Sequence, residues 1–300
     1  LMDKQRLYDL ISMDSPEAVL AEGTAIIRML FPDADLWQIT AAFRKTADLY
    51  QGLFPGYRAC NTQYHDFQHI IETFLAMARL IHGAVVSGQQ LNQHPVFLGL
   101  TAALLHDVGY IQETGDRQGT GGKHTIIHVR RGMDFVERHG AAFGLSGEAI
   151  KACQVMIYCT DLTADFSSII YPSREIEMLG KMLASADLVS QMADRTHLEK
   201  LIYLYQEFRE GMVSGYDSAE DLLRKTVGFY DLVQDRLINK LDGVDRYMIF
   251  HFRERWKIDT DLYRTAIENE KEYLYKIILK EDNELLDQLR RKGIVVNSRR

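Results

Sequence analysis

Residues 95–109 read PVFLGLTAALLHDVG, and this stretch decides the fold class. Pro95 and Gly109 are residue types that favour the first turn of a helix and the position just past its last turn. The apolar run between them therefore predicts a buried helix. It ends on His106 and Asp107, two adjacent ionisable side chains that are costly to bury without a partner.

Helical periodicity continues outward from this stretch over most of the 300-residue chain. Ser15 and Pro16 form a helix start signal, and Asn61 or Thr62 is placed to cap a helix carrying two histidines. Further helices are predicted over 36–50, 125–139, 147–160, 173–196 and several stretches beyond 197. Because no β alternation with turn residues interrupts them, the sequence predicts an all-α protein.

The length allows one large domain or two smaller ones. We expect residues 1–196 to form the core, because this part carries the unusual histidines and acids. Residues 197–300 continue as amphipathic helices rich in Tyr, Arg and Glu. We expect them to pack on the core as a C-terminal extension, so that both parts form one structural unit, and to cover the site or form a homodimer surface.

Charge and hydropathy exclude several classes of protein. A net charge of −7 argues against binding to a nucleic-acid duplex, because there is no cationic excess to neutralise phosphates. The acidic N-terminal segment lacks the apolar core of a signal peptide. The longest stretch without Asp, Glu, Lys or Arg, 80–106, is interrupted by SGQQLNQHP, so no membrane span is expected.

The three cysteines are never spaced as CxxC, which favours free thiols in a reducing compartment. Together with the absence of a secretory signal, this predicts a cytoplasmic protein.

The segment YHDFQH places His65 and His69 four residues apart, a spacing that puts both on one face of a helix. A zinc protease would need Glu after the first histidine as its base, but Asp66 stands there and is one carbon shorter. Two partly exposed helix histidines without a common ligand are the structural alternative.

Other ionisable residues strengthen the case for a metal site. His106 and Asp107 end an apolar helix, and Asp187 lies on or beside the apolar stripe of the predicted helix 173–196. A divalent cation would partner such groups, because imidazole and carboxylate both ligate Zn, Mn or Fe. The alternatives are an exposed His-Asp pair at a helix end and an Asp187 that pairs with a basic side chain.

Three more residues could complete a second metal position or a phosphate pocket. His124 and His128 repeat the four-residue spacing after a glycine-rich loop, and Asp161 ends a predicted helix. The loop does not match a P-loop, because Arg117 stands in place of the first glycine and Lys123 is not followed by Ser or Thr. A mobile flap beside the site is the interpretation that the glycines favour.

The order of these motifs resembles the HD-domain superfamily of metal-dependent phosphohydrolases. The segments YHDFQH, LLHDVG, MIYCTDLTADF and ASADLVS are most similar to signatures of the catalytic domains of cyclic-nucleotide phosphodiesterases. The resemblance spans roughly residues 60–195. It implies an all-helical bundle of the HD-domain, phosphodiesterase-like type, with additional C-terminal helices.

The resemblance also implies roles for individual residues. His69, His106, Asp107 and Asp187 would ligate a first metal, Asp107 would bridge to a second ion, and His65 would be the general acid.

In the wider superfamily, a histidine in an HxxxGA-like helix can ligate the second metal. The segment His128–Met133 fits that pattern, with His124 one turn before it.

The chain departs from the phosphodiesterases at two points. Tyr110 replaces a histidine three residues after the motif Asp, and the glutamine and phenylalanine that clamp a purine cannot be placed beyond residue 197. The expected cofactor is one or two divalent ions (Fe, Mn, Zn, Ni or Mg). The expected partner is a small phosphorylated molecule such as a nucleotide.

Two other functions fit the same residues. A di-iron oxygenase of the inositol-oxygenase type would use a similar ligand set to bind O₂. A non-catalytic HD module would act as a sensor or scaffold, although a scaffold has no need of the complete ligand set.

Overall fold

The computed structural model describes residues 5–280 and 282–295. Its α-helices, numbered α1 to α13 in chain order, are Leu7–Leu10, Pro16–Leu30, Trp37–Tyr50, Phe67–Val86, Gln93–Leu105, His128–His139, Glu148–Tyr158, Arg174–Ala193, His197–Glu210, Ala219–Asn239, Met248–Trp256, Leu262–Ile277 and Asp282–Leu285.

Within these described residues the structure contains no β-strand, which confirms the predicted all-α class. The one bridge between extended segments pairs Tyr57 with Glu113. Short 3₁₀ turns link the helices at Val108–Tyr110, Gly121–His124, Gly140–Phe143, Phe166–Ser168, Val244–Tyr247, Leu286–Gln288 and Arg291–Gly293.

The helix starts depend on local capping chemistry. The Ser15 side chain accepts a hydrogen bond from the backbone N–H of Ala18 and begins α2, as predicted. The prediction for α4 is wrong, because the helix begins at Phe67 and its cap is Asp66 rather than Asn61 or Thr62. His65 therefore precedes the helix and does not share a helical face with a second histidine.

Helix α4 is the centre of the bundle. Every residue from His69 to Ala84 is buried, and the helix packs against α2, α5, α8 and α11. By length and composition α4 could also span a membrane, but 89% of its most apolar window is buried inside this protein. This degree of burial is typical of a helix in the core of a bundle.

Arg79 is the unusual member of this central helix, because it is fully buried. Its Nη1 donates to the Tyr263 hydroxyl at 3.0 Å, and its guanidinium lies over the rings of Phe252 and Tyr263 at 5.7 and 5.6 Å from their centroids. Aromatic faces attract a guanidinium and replace part of its lost hydration. This contact ties α11 and α12 to α4.

The C-terminal helices lie against the N-terminal ones. Helix α9 packs on the 3₁₀ turn Gly121–His124, α11 on α4, and α12 on α8. The residues beyond 196 are therefore continuous with the core through the packing of these three helices.

We predict that Gly83→Ala destabilises the fold. A Cβ at this position of α4 would lie 1.9 Å from the carbonyl oxygen of Tyr247, a backbone atom that cannot rotate away. Overpacking of this kind costs about 2–3 kcal/mol of unfolding free energy. Urea unfolding followed by circular dichroism measures the change.

Gly228→Ala is the matched control, because Gly228 also lies inside a helix but a Cβ there meets nothing within 4 Å. Alanine should stabilise that helix by about 0.5–1 kcal/mol through its better helix propensity. Equal effects of the two substitutions would contradict the close approach of α4 to the turn before α11.

Candidate metal centre

His69 lies in the first turn of α4, and the start of that helix holds it in place. The Asp66 side chain accepts a hydrogen bond of 3.0 Å from the backbone N–H of His69. The His69 ring is buried and its Nε2 points towards the C-terminal end of α5 and the middle of α8, where the other ionisable groups lie.

His106 caps the C-terminus of α5, and Asp107 follows it in the turn. The Nδ1–H of His106 donates to the carbonyl oxygen of Ala103 at 2.9 Å, which fixes the tautomer and leaves the lone pair on Nε2. Asp107 Oδ2 lies 3.3 Å from His106 Nε2 and 3.4 Å from His69 Nε2.

Asp187 reaches the same point from the middle of α8. Its Oδ1 lies 3.1 Å from His69 Nε2 and 3.6 Å from His106 Nε2, and the two Nε2 atoms are 3.2 Å apart. The structure thus brings together the four residues expected to ligate the first metal.

This donor set fits a metal ion. Ligand atoms about 2.1 Å from a tetrahedral cation are separated by ~3.4 Å, close to the observed distances of 3.1–3.6 Å. His69, His106 and Asp107 form a buried group that could hold such an ion. Two imidazoles and carboxylates suit Zn, Mn or Fe.

The electrostatics of the site point the same way. Burial alone would lower the pKa of His69, but the hydrogen bonds to Asp107 and Asp187 outweigh it and raise this pKa to about 9. Burial alone would raise the pKa of Asp107, yet the His106 charge holds it well below its usual range. The two carboxylates thus favour positive charge at this point, which is what a bound cation would supply.

Asp107 also faces His128, on the side away from the first cluster. Its Oδ1 lies 3.5 Å from Nε2 of His128, whose Nδ1–H donates to the carbonyl oxygen of Thr125 at 2.6 Å. Two glycines allow this approach. A Cβ at Gly109 would lie 1.8 Å from the carbonyl oxygen of His128, and one at Gly132 would lie 3.2 Å from that of His106. Asp107 is therefore placed between His128 and the first cluster.

His65 lies at the edge of the cluster, 6.0 Å from the His69 ring between centroids. Its Nδ1 is 2.6 Å from Oε2 of Glu207, a buried residue of α9. The other carboxylate oxygen of Glu207 accepts from the backbone N–H groups of Gln63 and Tyr64 at 3.0 and 2.8 Å. Glu207 thus holds the His65 ring through Nδ1.

Sequence reasoning missed Glu207, because a glutamate on an amphipathic helix 142 residues from His65 gives no local signal. It also treated Tyr110 only as a departure from the phosphodiesterases. In the structure the imidazoles of His65 and His128 both stack on the Tyr110 ring, with centroids 4.2 and 4.6 Å away. Tyr110 thus orients two rings of the site.

Two predicted site residues make their contacts elsewhere. His124 faces the loop, with Nε2 3.3 Å from Oδ2 of Asp116. Asp161 follows α7 in a turn, and its Oδ1 accepts from the backbone and the hydroxyl of Thr163 at 2.8 and 2.7 Å. Neither set of contacts includes Asp107 or His128, so a part for His124 or Asp161 in a second metal position or a phosphate pocket stays a prediction.

The glycine-rich loop is anchored on both sides. The backbone N–H of Thr120 donates to Oε1 of Glu210 at 2.5 Å, and that of Gly121 donates to Oδ1 of Asn61 at 2.9 Å. Gln112 spans the loop by donating to the carbonyl oxygen of Gln118 at 2.9 Å. These bonds attach the loop to α9 and to the segment before α4, a set of contacts that the flap interpretation did not anticipate.

Comparisons of the chain with protein-family models, with curated proteins and with solved structures give no match. The resemblance to HD-domain phosphohydrolases therefore stays a prediction from the sequence motifs.

We predict that the protein, purified without chelators or a metal-affinity tag, contains metal near stoichiometry, and that Asp107→Ala loses it. Asp107 has one oxygen in the four-ligand cluster and one facing His128, so its removal breaks both sets of contacts. Elemental analysis should show the metal content of the variant fall far below that of the wild type, because even the outer-shell partners of ligands change metal affinity by about 10–100-fold.

His94→Ala is the control, because His94 is an exposed histidine in α5. His251 would be a poor control, since it is fully buried against His82 and its removal would leave a cavity. Wild-type protein that is folded, free of metal and unable to take it up would contradict the assignment, as would an Asp107→Ala variant with full metal content.

Proposed function

We propose that this chain is a metal-dependent phosphohydrolase of the HD-domain, phosphodiesterase-like type. The observation that carries the proposal is a histidine held by a buried glutamate beside a His–Asp cluster that could bind a metal ion. His65, fixed by Glu207, lies next to the point where His69, His106 and two carboxylates converge.

A bound divalent cation would supply Lewis acidity, lowering the pKa of a water nucleophile and offsetting charge on the phosphoryl group. His69, His106, Asp107 and Asp187 would hold the first ion. A second ion would be held by the other oxygen of Asp107 and by His128, whose tautomer leaves Nε2 free to ligate.

The protein groups around this point would handle the leaving group. Glu207 accepts the Nδ1–H of His65 and so fixes the ring, which in its protonated form would deliver the Nε2 proton to the leaving oxygen. Stacking on Tyr110 sets the plane of the same ring. This is the role of a general acid with a carboxylate that positions it.

The His65–Glu207 pair favours hydrolysis over the di-iron oxygenase alternative, because an oxygenase has no alkoxide to protonate. It also favours an enzyme over a scaffold, because binding alone does not need a positioned proton donor. The proposed substrate is a small phosphorylated molecule, namely a nucleotide or cyclic-nucleotide-like phosphodiester or a phosphomonoester.

A substrate panel tests the proposal. Metal-loaded protein should hydrolyse one or more of bis-p-nitrophenyl phosphate, p-nitrophenyl phosphate, cyclic nucleotides and nucleoside monophosphates, and chelation should abolish the activity. The rate should be the same with and without O₂. O₂-dependent turnover of a non-phosphorylated compound would favour the oxygenase, and metal-loaded protein inactive on the whole panel would favour the sensor or scaffold.

We predict that His65→Ala lowers turnover of an alkyl phosphoester by roughly 10²–10⁴-fold, the contribution of a general acid. The loss should be much smaller for a nitrophenyl ester, because nitrophenolate departs without a proton. Steady-state kinetics on the two substrates, with metal content measured in parallel, separate the roles.

Glu207→Gln tests the positioning of the same ring. Because its amide keeps the size of the carboxylate but offers Nδ1 only a neutral acceptor, we expect a loss smaller than that of His65→Ala with the same dependence on leaving group. Equal losses on both esters would show that His65 binds phosphate rather than donating a proton. Loss of metal from His65→Ala would make it a ligand.

A further inference from the structure

A short chain of hydrogen bonds leads from Asp187 back to the segment before α4. Nε2 of Gln191 donates to Oδ1 of Asp187 at 3.3 Å and to its backbone carbonyl oxygen at 3.2 Å. The Tyr64 hydroxyl donates to Oε1 of Gln191 at 2.8 Å. Gln191 is four residues after Asp187, so both lie on one face of α8.

We propose that Gln191 and Tyr64 are positioning residues that set the rotation of the Asp187 carboxylate towards the two histidines. The inference rests on the metal site of the proposed function and extends it beyond the ligands themselves. Groups that hydrogen-bond to ligating carboxylates fix their orientation and change metal affinity.

The hydrogen bond from Gln191 is made to the carboxylate oxygen of Asp187 that lies nearest to the imidazoles. Oδ1 of Asp187 is the atom 3.1 Å from His69 Nε2, so it is the oxygen that would ligate. A carboxylate oxygen has two lone pairs, and the amide N–H occupies one while the other stays directed at the imidazoles. Without the amide, a partial rotation about χ2 would turn the lone pair of the ligating oxygen away from the imidazoles.

Tyr64 decides which end of the Gln191 amide faces Asp187. The phenol donates to the amide oxygen, which leaves the NH₂ group for the carboxylate. In the flipped orientation the amide oxygen would face a carboxylate oxygen, and two acceptors would repel each other. Burial raises the pKa of Tyr64 well above its usual value, so the hydroxyl keeps the proton that it donates.

Tyr64 is itself held rigidly. Its backbone N–H donates to Oε1 of Glu207 at 2.8 Å, and its ring packs edge-on against His65 with centroids 4.9 Å apart. The carboxylate of Glu207 thus anchors both the proton donor of the site and the residue that orients the Asp187 ligand through Gln191. Glu207 therefore links His65 with Asp187 across the site.

The test is the Zn²⁺ affinity of Gln191→Met, Tyr64→Phe and the double variant, measured by competition with a chromogenic chelator. We expect Gln191→Met to weaken Zn²⁺ binding about tenfold, the lower range for outer-shell residues. Tyr64→Phe should weaken it less, because only the amide orientation is lost. In the double variant Tyr64→Phe should add nothing, since its effect passes through Gln191.

Gln154→Met is the matched control, because Gln154 is a partly buried glutamine whose amide bonds only to the backbone of Met133. The thermal unfolding temperature of each metal-free variant shows whether it folds. If Gln191→Met unfolds, Tyr64→Phe alone decides the matter.

Affinities equal to wild type in folded Gln191→Met or Tyr64→Phe, or fully additive losses in the double variant, would overturn the inference. Failure of the wild-type protein to bind Zn²⁺ would instead overturn the metal site of the proposed function. The two failures are therefore distinguishable.

Discussion

Two imidazoles and two carboxylates meet inside an apolar helical bundle, and the rest of the site depends on this meeting. Buried ionisable groups are tolerated only when they pair with each other or with a cation. Here each carboxylate lies 3.1–3.6 Å from both imidazole Nε2 atoms, which are 3.2 Å apart, and each side chain comes from an element that ends or crosses at that point. His69 opens α4, His106 and Asp107 close α5, and Asp187 lies within α8. The packing of these three helices is therefore also the assembly of the candidate metal centre.

Close backbone contact extends the cluster beyond the first four residues. Gly109 and Gly132 let α6 approach the turn after α5, so that His128 faces the free oxygen of Asp107. A side chain at Gly109 would overlap the α6 backbone. The absence of a side chain at these glycines therefore allows α6 to lie close to the turn after α5. The stacking of the His128 ring on Tyr110 depends on this close packing.

The helices beyond residue 196 contribute to the chemistry as well as to the packing. One turn of α9 carries Glu207, which holds His65, and Glu210, which holds the glycine-rich loop through Thr120. The loop leads directly into the 3₁₀ turn Gly121–His124 that precedes α6. A displacement of α9 would therefore disturb both the His65 ring and the approach of His128 to Asp107.

The sequence by itself determined the all-α class and the residue types that meet at the cluster, because helical periodicity, capping and ligand chemistry are local properties. It did not determine that His65 precedes α4, because several neighbouring residues could cap this helix and only the structure shows that Asp66 does so. Nor did it reveal Glu207 or Gln191, which look like ordinary polar residues on amphipathic helices. It offered His124 as a possible site residue, and in the structure the loop turns that ring towards Asp116. Only the tertiary structure decided these points, because they depend on how helices distant in sequence cross, and neither spacing nor composition encodes those crossings.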